Sequence, residues 1–368
     1  MENLLEKIKQ YDDVVIFGFG NVGRHIYDQL RSDNLDASLW FCDNNRYDRV
    51  CEGTQILKPE DAFKKYPDAL FIVGSIIHFS PMLEQLRSMG IPEENIIAQW
   101  IQTNSRMIPR DFIINLPYHL TEHCNLRCAG CLHFSNVAKE QFADFDLFKK
   151  TFKRFIDVMG DSFRGGIEFF GGEPLLHPQI EDFLSTARTM LPNRAVVIIT
   201  NGTLLEKMPD CFWKTCAENN VHIGISGYPV NLNDSLIKEK ANSYGVGLSK
   251  SSRDNSAWSQ YVFDLDGNQN IEQSFSNCEN ANERFIMKDR FLYPCSVTAC
   301  IEHFNKAFDQ NLELKNEDYL DLFTDITAKD VLNFISKPVP FCRYCERSKL
   351  KLGQTWRLSK FTIDEYLE

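Results

Sequence analysis

The chain has 368 residues, 43% hydrophobic and 25% charged, with a net charge of −11. That profile fits two or three soluble domains and excludes a general attraction to nucleic acid or anionic membrane. The start, MENLLEKIKQ, is charged and amphipathic, and no apolar run approaches the roughly 18 residues of a membrane span, so neither signal peptide nor membrane contact is expected and the expected compartment is cytoplasmic.

In chain order, DVVIFG (13–18) is a short β-branched strand. It leads into NVGRHIYDQLRS, where Val22, Ile26 and Leu30 recur every four residues on one helical face. SLWFCD (38–43) is a second strand, and KPEDAFKKY starts a helix with proline and acids in its first turn. ALFIVGS (69–75) is a third strand, PMLEQLRSMG a helix stopped by Gly90, and NIIAQWI a fourth strand. This alternation predicts a parallel sheet covered on both faces. GFGNVG (18–23) fits G-x-G-x-x-G between a strand and a helix. Gly18 makes the turn, Gly20 admits a pyrophosphate to the helix N-terminus, and Gly23 permits close helix–strand packing. Asp43, ending the next strand, is the candidate for a ribose hydroxyl. A bound nucleotide or NAD(P) is one expectation for this module; a ligand-free scaffold, as in a homodimer, is the other.

QTNSRMIPRDF (102–112) is polar with a proline and is read as a domain boundary. Beyond it, strands are predicted at NLPYHLTE (115–122), GGIEFFGG (165–172), AVVIITNG (195–202), VHIGIS (221–226) and GVGLSK (245–250), with helices between. Serial βα units with polar residues crowded after each strand predict a full or partial (β/α) barrel. After residue 251 the pattern breaks: SSRDNSAWSQ reads as loop, and RFIMKDRFLYPC as a hairpin turned at Lys288-Asp289.

Twelve cysteines in a reducing compartment point to metal rather than to disulfides. TEHCNLRCAGCLHFSN (121–136) sets Cys124, Cys128 and Cys131 at C-x3-C-x2-C. Three thiolates leave zinc short of a fourth ligand. In a 4Fe–4S cubane they hold three irons and leave one open. Cys278, Cys295, Cys342 and Cys345 form a second set, with a hairpin between the first two and a C-x2-C at the end. Four thiolates make a closed site for zinc or for a fully ligated cluster. Cys300 is near enough in sequence to Cys295 to be a rival ligand, although it is also read, with Cys42, Cys51, Cys211 and Cys216, as a buried small hydrophobe.

The triplet, placed after the first strand of a barrel, resembles the signature of the radical S-adenosylmethionine (SAM) superfamily. FFGGEPLLHP (169–178) resembles its GGEP motif, and TNG (200–202) and ISGYP (225–229) follow the next two strands, as polar contacts to SAM do in that family. The resemblance implies a 4Fe–4S cluster on the three cysteines, with the amino and carboxylate groups of SAM on the open iron. It also implies reductive cleavage to a 5′-deoxyadenosyl radical. Gly171 and Gly172 would admit SAM close to the backbone, Glu173 would receive its methionine ammonium, and Asn201 and Ser226 would contact it. One departure is Gly130, where the family often has an aromatic residue; packing near the adenine should be looser.

The later cysteine set resembles the auxiliary-cluster module called Twitch, a short relative of SPASM, as in the 2-deoxy-scyllo-inosamine dehydrogenase family. That implies a second 4Fe–4S cluster and oxidation or epimerisation at a carbinol carbon of a sugar, cyclitol or nucleotide-sugar. A flavodoxin or ferredoxin would supply electrons. Lys250, Arg253 and Asp264 are candidate bases in or beside the polar stretch where the barrel opens. The expected α/β architecture is a Rossmann-like module (1–104), a partial (β/α)6 TIM barrel of the radical SAM type (105–270) and an irregular Twitch extension (271–368). Two alternatives stand beside it: radical SAM modification of a ribosomal peptide, and a zinc-bearing nucleotide-sensing scaffold without catalysis.

Overall fold

The computed structural model describes all residues except 1–6, 33–35, 76–78, 98–99, 104–105, 110–112, 252–257, 277, 279, 281–284, 336 and 368. The chain forms two compact units: residues 1–112 with 275–281, and residues 113–274 with 282–368.

The first unit holds β1 (Asp13–Phe17), α1 (Asn21–Ser32), β2 (Ser38–Cys42), α2 (Pro59–Lys65), β3 (Leu70–Val73), α3 (Phe79–Ser88) and β4 (Ile96–Ile97). Its strands run parallel in the order β2-β1-β3-β4. Because side chains alternate along a strand, Val14 and Ile16 pack with Ile26 and Leu30 of α1. Val15 and Phe17 face the opposite side, against Ala62 of α2 and Met82 and Leu86 of α3. Both faces of the sheet are thus covered, which is why β1 and β3 read as unbroken apolar runs. The boundary stretch forms a small antiparallel hairpin, Trp100–Thr103 with Arg106–Pro109.

The second unit contains β5 (Ile113–Thr121), α4 (Phe145–Met159), β6 (Phe163–Gly171), α5 (Ile180–Met190), β7 (Val196–Thr200), α6 (Asp210–Glu218), β8 (Val221–Ile225), α7 (Asp234–Tyr244) and β9 (Gly247–Lys250). It continues with β10 (Ile286–Lys288), β11 (Phe291–Tyr293), α8 (Ser296–Phe308), β12 (Leu320–Asp321) and α9 (Ala328–Ile335). One eight-stranded sheet runs β9-β8-β7-β6-β5-β10-β11-β12. Its first five strands are mutually parallel, and β10 pairs parallel with β5 before turning back through the expected hairpin. Asp289 makes that turn with φ 52°, a conformation acids tolerate better than bulky residues do. A parallel sheet fed by successive βα units is consistent with a partial barrel of the radical SAM type.

Helices cover one face of this sheet. Phe148, Phe152 and Phe155 of α4 repeat at helical spacing and pack with Tyr118, Phe163, Phe169 and Phe183. Asp144 caps α4 by accepting the Leu147 amide at 2.7 Å. Asp144→Ala should cost about 1 kcal/mol, read as a lower denaturant midpoint. The opposite face carries the strand-end polar residues. Tyr118 and Leu120 enter the helix-side core, so alternation sends His119 and Thr121 the other way.

Of the five cysteines read as apolar filler, Cys42, Cys216 and Cys300 are buried, Cys51 is half-buried and Cys211 is exposed. Among the described residues, no helix is long and apolar enough to cross a membrane.

Candidate functional site

Cys124, Cys128 and Cys131 lie on the loop that leaves the C-terminal end of β5. Phe134 anchors this loop: fully buried at φ 51°, it packs on Phe304 and Tyr366 at 5.4 and 5.3 Å. Cys124 draws its amide bond from the loop itself, donating to the Ser135 carbonyl at 3.3 Å. Each sulfur meets N–H donors. Cys124 Sγ accepts from the Leu126 amide at 3.4 Å and from Asn201 Nδ2 at 3.6 Å. Cys128 Sγ accepts from Trp356 Nε1 at 3.2 Å. Burial pushes the Cys124 thiol up to about 11 and the Cys128 thiol up to about 12, and the neighbouring cysteines add to both shifts. Cys131 is also raised by burial, while backbone amides of Ser135, His133, Phe134 and Asn136 pull it back.

Three thiols on one loop, each raised by burial, do not all ionise unaided, yet the donors around them suit anionic sulfur. A polynuclear iron centre resolves that conflict, since it binds thiolates and its charge offsets theirs. The donor set therefore fits a 4Fe–4S cluster held by Cys124, Cys128 and Cys131.

The glycine pair closes the adjoining strand ends. Gly172 donates its amide to the Thr121 carbonyl at 2.6 Å, and Glu173 donates to the His123 carbonyl at 3.0 Å. A Cβ on Gly172 would lie 2.0 Å from the His123 carbonyl oxygen, so β6 can approach the cysteine loop only without a side chain there. Glu173 is fully buried, and its carboxylate accepts from the Leu175 amide at 3.1 Å, Thr200 Oγ1 at 2.6 Å and the Asn201 amide at 2.9 Å. Burial still outweighs those bonds and raises its pKa to about 7. Asn201 links the turn after β7 to the cysteine loop, donating to Asn125 Oδ1 at 2.9 Å and accepting from the Thr203 amide and hydroxyl. Ser226 joins the same rim, its amide bonded to the Thr200 carbonyl at 2.8 Å. Glu173, Asn201 and the triplet are thus brought together.

The other candidates have the following places. Lys250, ending β9, forms an ion pair with Asp234 at 2.8 Å. Asp264 accepts the Asp266 and Asn268 amides and Gln269 Nε2; these bonds hold its pKa below the usual range against a contrary effect of desolvation. Lys250 thus ties β9 to the start of α7, and Asp264 holds its own loop in shape. Arg253 lies outside the described residues. Cys295 precedes α8, and Cys342 and Cys345 sit in and after a short 3-10 helix, Pro340–Tyr344. All three are half-buried on the core around Phe341 and Tyr344. Cys278 falls in the 275–281 segment, which belongs to the first unit.

In the first unit, Gly18 has φ 113°, and a Cβ on Gly23 would lie 1.8 Å from the Gly18 carbonyl oxygen. A Cβ on Gly20 would meet nothing within 4 Å. The Asp43 carboxylate accepts the Phe19, Asn45 and Arg46 amides at 2.7–3.0 Å, which fastens the glycine loop to β2. Of a carboxylate's roughly four acceptor sites, that leaves about one for a ligand hydroxyl.

Two parts of the second unit were missed by sequence reasoning. The first is the C-terminal segment. Besides Trp356, it supplies the Arg357 carbonyl to the Ala129 amide at 3.0 Å, the Ser359 amide to the Arg127 carbonyl at 2.9 Å, and Tyr366 Oη to the Cys131 carbonyl at 3.3 Å. Gly130 fits here because it adopts φ 63° and because the Glu365 carbonyl lies 3.3 Å from where a Cβ would stand.

The second is a buried charge network. Lys288 Nζ meets Glu122 at 3.0 Å, Glu302 at 2.9 Å and the Ala299 carbonyl at 3.1 Å. Glu122 also meets His303 Nε2 at 2.6 Å and His119 Nδ1 at 3.4 Å. Burial alone would raise the Glu122 pKa, but His119, His303 and Lys288 hold it well below the usual range. Burial likewise opposes the charge on Lys288, and its anionic neighbours outweigh that. Lys288→Met leaves Glu122 with histidines alone and should cost about 3 kcal/mol, measured by chemical denaturation.

Comparison with known proteins agrees with this geometry. The profile of the Radical SAM superfamily matches residues 118–292. GTP 3',8-cyclase of Chlorobaculum tepidum is 36% identical over 121 residues, 33% of each chain. The subtilosin biosynthesis protein AlbA of Bacillus subtilis is 30% identical over 118 residues, 32% of this chain and 25% of that one. This chain therefore matches only a third and a quarter of the length of those relatives. Among solved structures, BtrN in complex with AdoMet and 2-DOIA aligns with 64% of this chain and 93% of its own, at 15% identity and a TM-score of 0.39. From residue 118 to residue 292, this chain carries a Radical SAM superfamily domain.

Proposed function

We propose that this protein is a radical SAM oxidoreductase acting on a carbinol carbon of a sugar, cyclitol or nucleotide-sugar. The observation that carries the reading is the set of three cysteines at the C-terminal end of β5, Cys128 buried and Cys124 and Cys131 half-buried, each sulfur met by N–H donors, beside a buried Glu173. When bound, the cluster supplies the electron that cleaves SAM reductively. The protein's own residues do the rest. Cys124, Cys128 and Cys131 hold the iron, and Asn201 and Trp356 temper the charge on two of their sulfurs. Glu173 ties the turns after β6 and β7 together, so that a ligand over the strand ends meets a fixed rim. Glu173, Asn201 and Ser226 are the proposed SAM contacts.

Oxidation of a carbinol also needs a second electron acceptor. An auxiliary 4Fe–4S cluster, with Cys295, Cys342 and Cys345 of the second unit among its ligands, is the proposed one, with a flavodoxin or ferredoxin as donor to the SAM cluster. For the first unit, we propose nucleotide or NAD(P) binding at Gly18, Gly20 and Gly23. A second reading, modification of a peptide, draws on the likeness of one stretch to the subtilosin biosynthesis protein.

The test is anaerobic reconstitution with iron and sulfide, then incubation with SAM, dithionite and a panel of polyols, nucleotide-sugars and peptides. About eight irons per chain and a keto or epimeric polyol product support the reading. About four irons would remove the auxiliary cluster, and a modified peptide would move the substrate class.

A further inference from the structure

One group of side chains on the sheet face opposite α4, beneath α8, has no part in the chemistry above. His119 projects from β5, His133 from the cysteine loop, and Cys300 from α8. Their donor atoms all lie within 4.8 Å of one another. Cys300 Sγ is 3.5 Å from His119 Nε2, and the two imidazoles stack at 5.3 Å with 12° between their planes. Phe170 closes the group, edge-on to both rings. Cys300 and His119 are 0% and 1% exposed.

A buried thiol against a histidine is by itself ordinary packing. The second nitrogen of His119 makes the difference. Nδ1 lies 3.4 Å from Glu122, an ion-pair distance without hydrogen-bond geometry, so it is a buried nitrogen with no hydrogen-bond partner beside a carboxylate that Lys288 at 3.0 Å and His303 at 2.6 Å hold in place. Metal-binding histidines are oriented in this way: one nitrogen on the metal, the other on a held carboxylate. The sulfur–nitrogen separation fits too. Two corners of a tetrahedron around zinc, with Zn–S about 2.3 Å and Zn–N about 2.0–2.1 Å, stand about 3.5 Å apart.

We propose that Cys300, His119 and His133 form a mononuclear zinc site, separate from the iron held by Cys124, Cys128 and Cys131. Glu122 orients His119 in it. Three protein ligands leave one tetrahedral position that the protein does not fill. The site does not depend on the radical SAM reading, because zinc and iron are counted separately in one sample.

The experiment uses the full chain, reconstituted with iron and sulfide, given one equivalent of Zn2+, desalted and read by metal analysis and zinc-edge X-ray absorption. The expected result is about one zinc per chain beside the iron, with one sulfur neighbour at about 2.3 Å and the remaining neighbours nitrogen or oxygen at about 2.0–2.1 Å. Cys300→Ser and His119→Gln should each weaken zinc binding at least about tenfold without lowering the iron count, and Glu122→Gln about 10- to 100-fold. His133→Ala, at a less buried position, should do the same and guards against a variant that fails to fold. In the unaltered protein Zn2+ should also raise the thermal midpoint. Failure to retain zinc, zinc with two or more sulfur neighbours, or retention undiminished in Cys300→Ser and His133→Ala would overturn the proposal.

Discussion

Cys128→Ala should abolish SAM cleavage, with 5′-deoxyadenosine falling at least about a thousandfold, and should strip about four irons from the reconstituted chain. The size of the effect follows from the loop. Cys128 is buried, its sulfur takes the Trp356 N–H at 3.2 Å, and its backbone pairs with Leu358. Two remaining thiolates cannot hold a cubane in a fixed orientation. Trp356→Phe keeps the ligand and removes only the donor. It should retain the iron and slow cleavage by about 10-fold, the usual scale for an outer partner of a metal ligand. Iron analysis and chromatographic measurement of 5′-deoxyadenosine check both variants. Undiminished cleavage in Cys128→Ala would remove this cysteine from the cluster.

Gly172→Ala should be the most damaging single methyl group in the second unit. Its Cβ would stand 2.0 Å from the His123 carbonyl oxygen, 2.4 Å from the His123 carbonyl carbon and 3.0 Å from the Glu122 carbonyl oxygen. All three are backbone atoms, so no side-chain rotation relieves the contact. Either β6 withdraws or the cysteine loop does, and both Glu173 and Cys124 lose their positions. More than about 4 kcal/mol of stability should go, together with iron retention. Gly20→Ala is the matched control, since its Cβ would meet nothing within 4 Å, and its midpoint should stay within about 0.5 kcal/mol of the unaltered protein. Chemical denaturation of both variants gives the comparison.

Residues with strong local chemistry were legible before any coordinates. β7 and β8 of the second unit announce themselves as apolar β-branched runs because they pack against helices, and Ile198 and Ile223 enter that core together with Ile167 of β6. The triplet and the GGEP turn were legible because metal ligation and close backbone approach demand particular residue types at fixed spacing. The C-terminal segment was not. Trp356 and Cys128 are 228 residues apart, and the C-terminal segment that carries Trp356 has no periodicity to read. The charge network was hidden for the same reason. Glu122 and Lys288 are 166 residues apart, and each reads as a surface residue until β10 is laid beside β5. Gly130, expected to loosen packing near the adenine, also makes room for the Glu365 carbonyl, a neighbour supplied from the far end of the chain.

The most direct test of the central claim is electron paramagnetic resonance of the dithionite-reduced, anaerobically reconstituted protein, recorded with and without SAM. A reduced 4Fe–4S signal whose g-values change when SAM is added is the predicted result, because three cysteines leave one iron free to take its amino and carboxylate groups. A spectrum indifferent to SAM, or colourless protein with zinc on Cys124, Cys128 and Cys131, would contradict it.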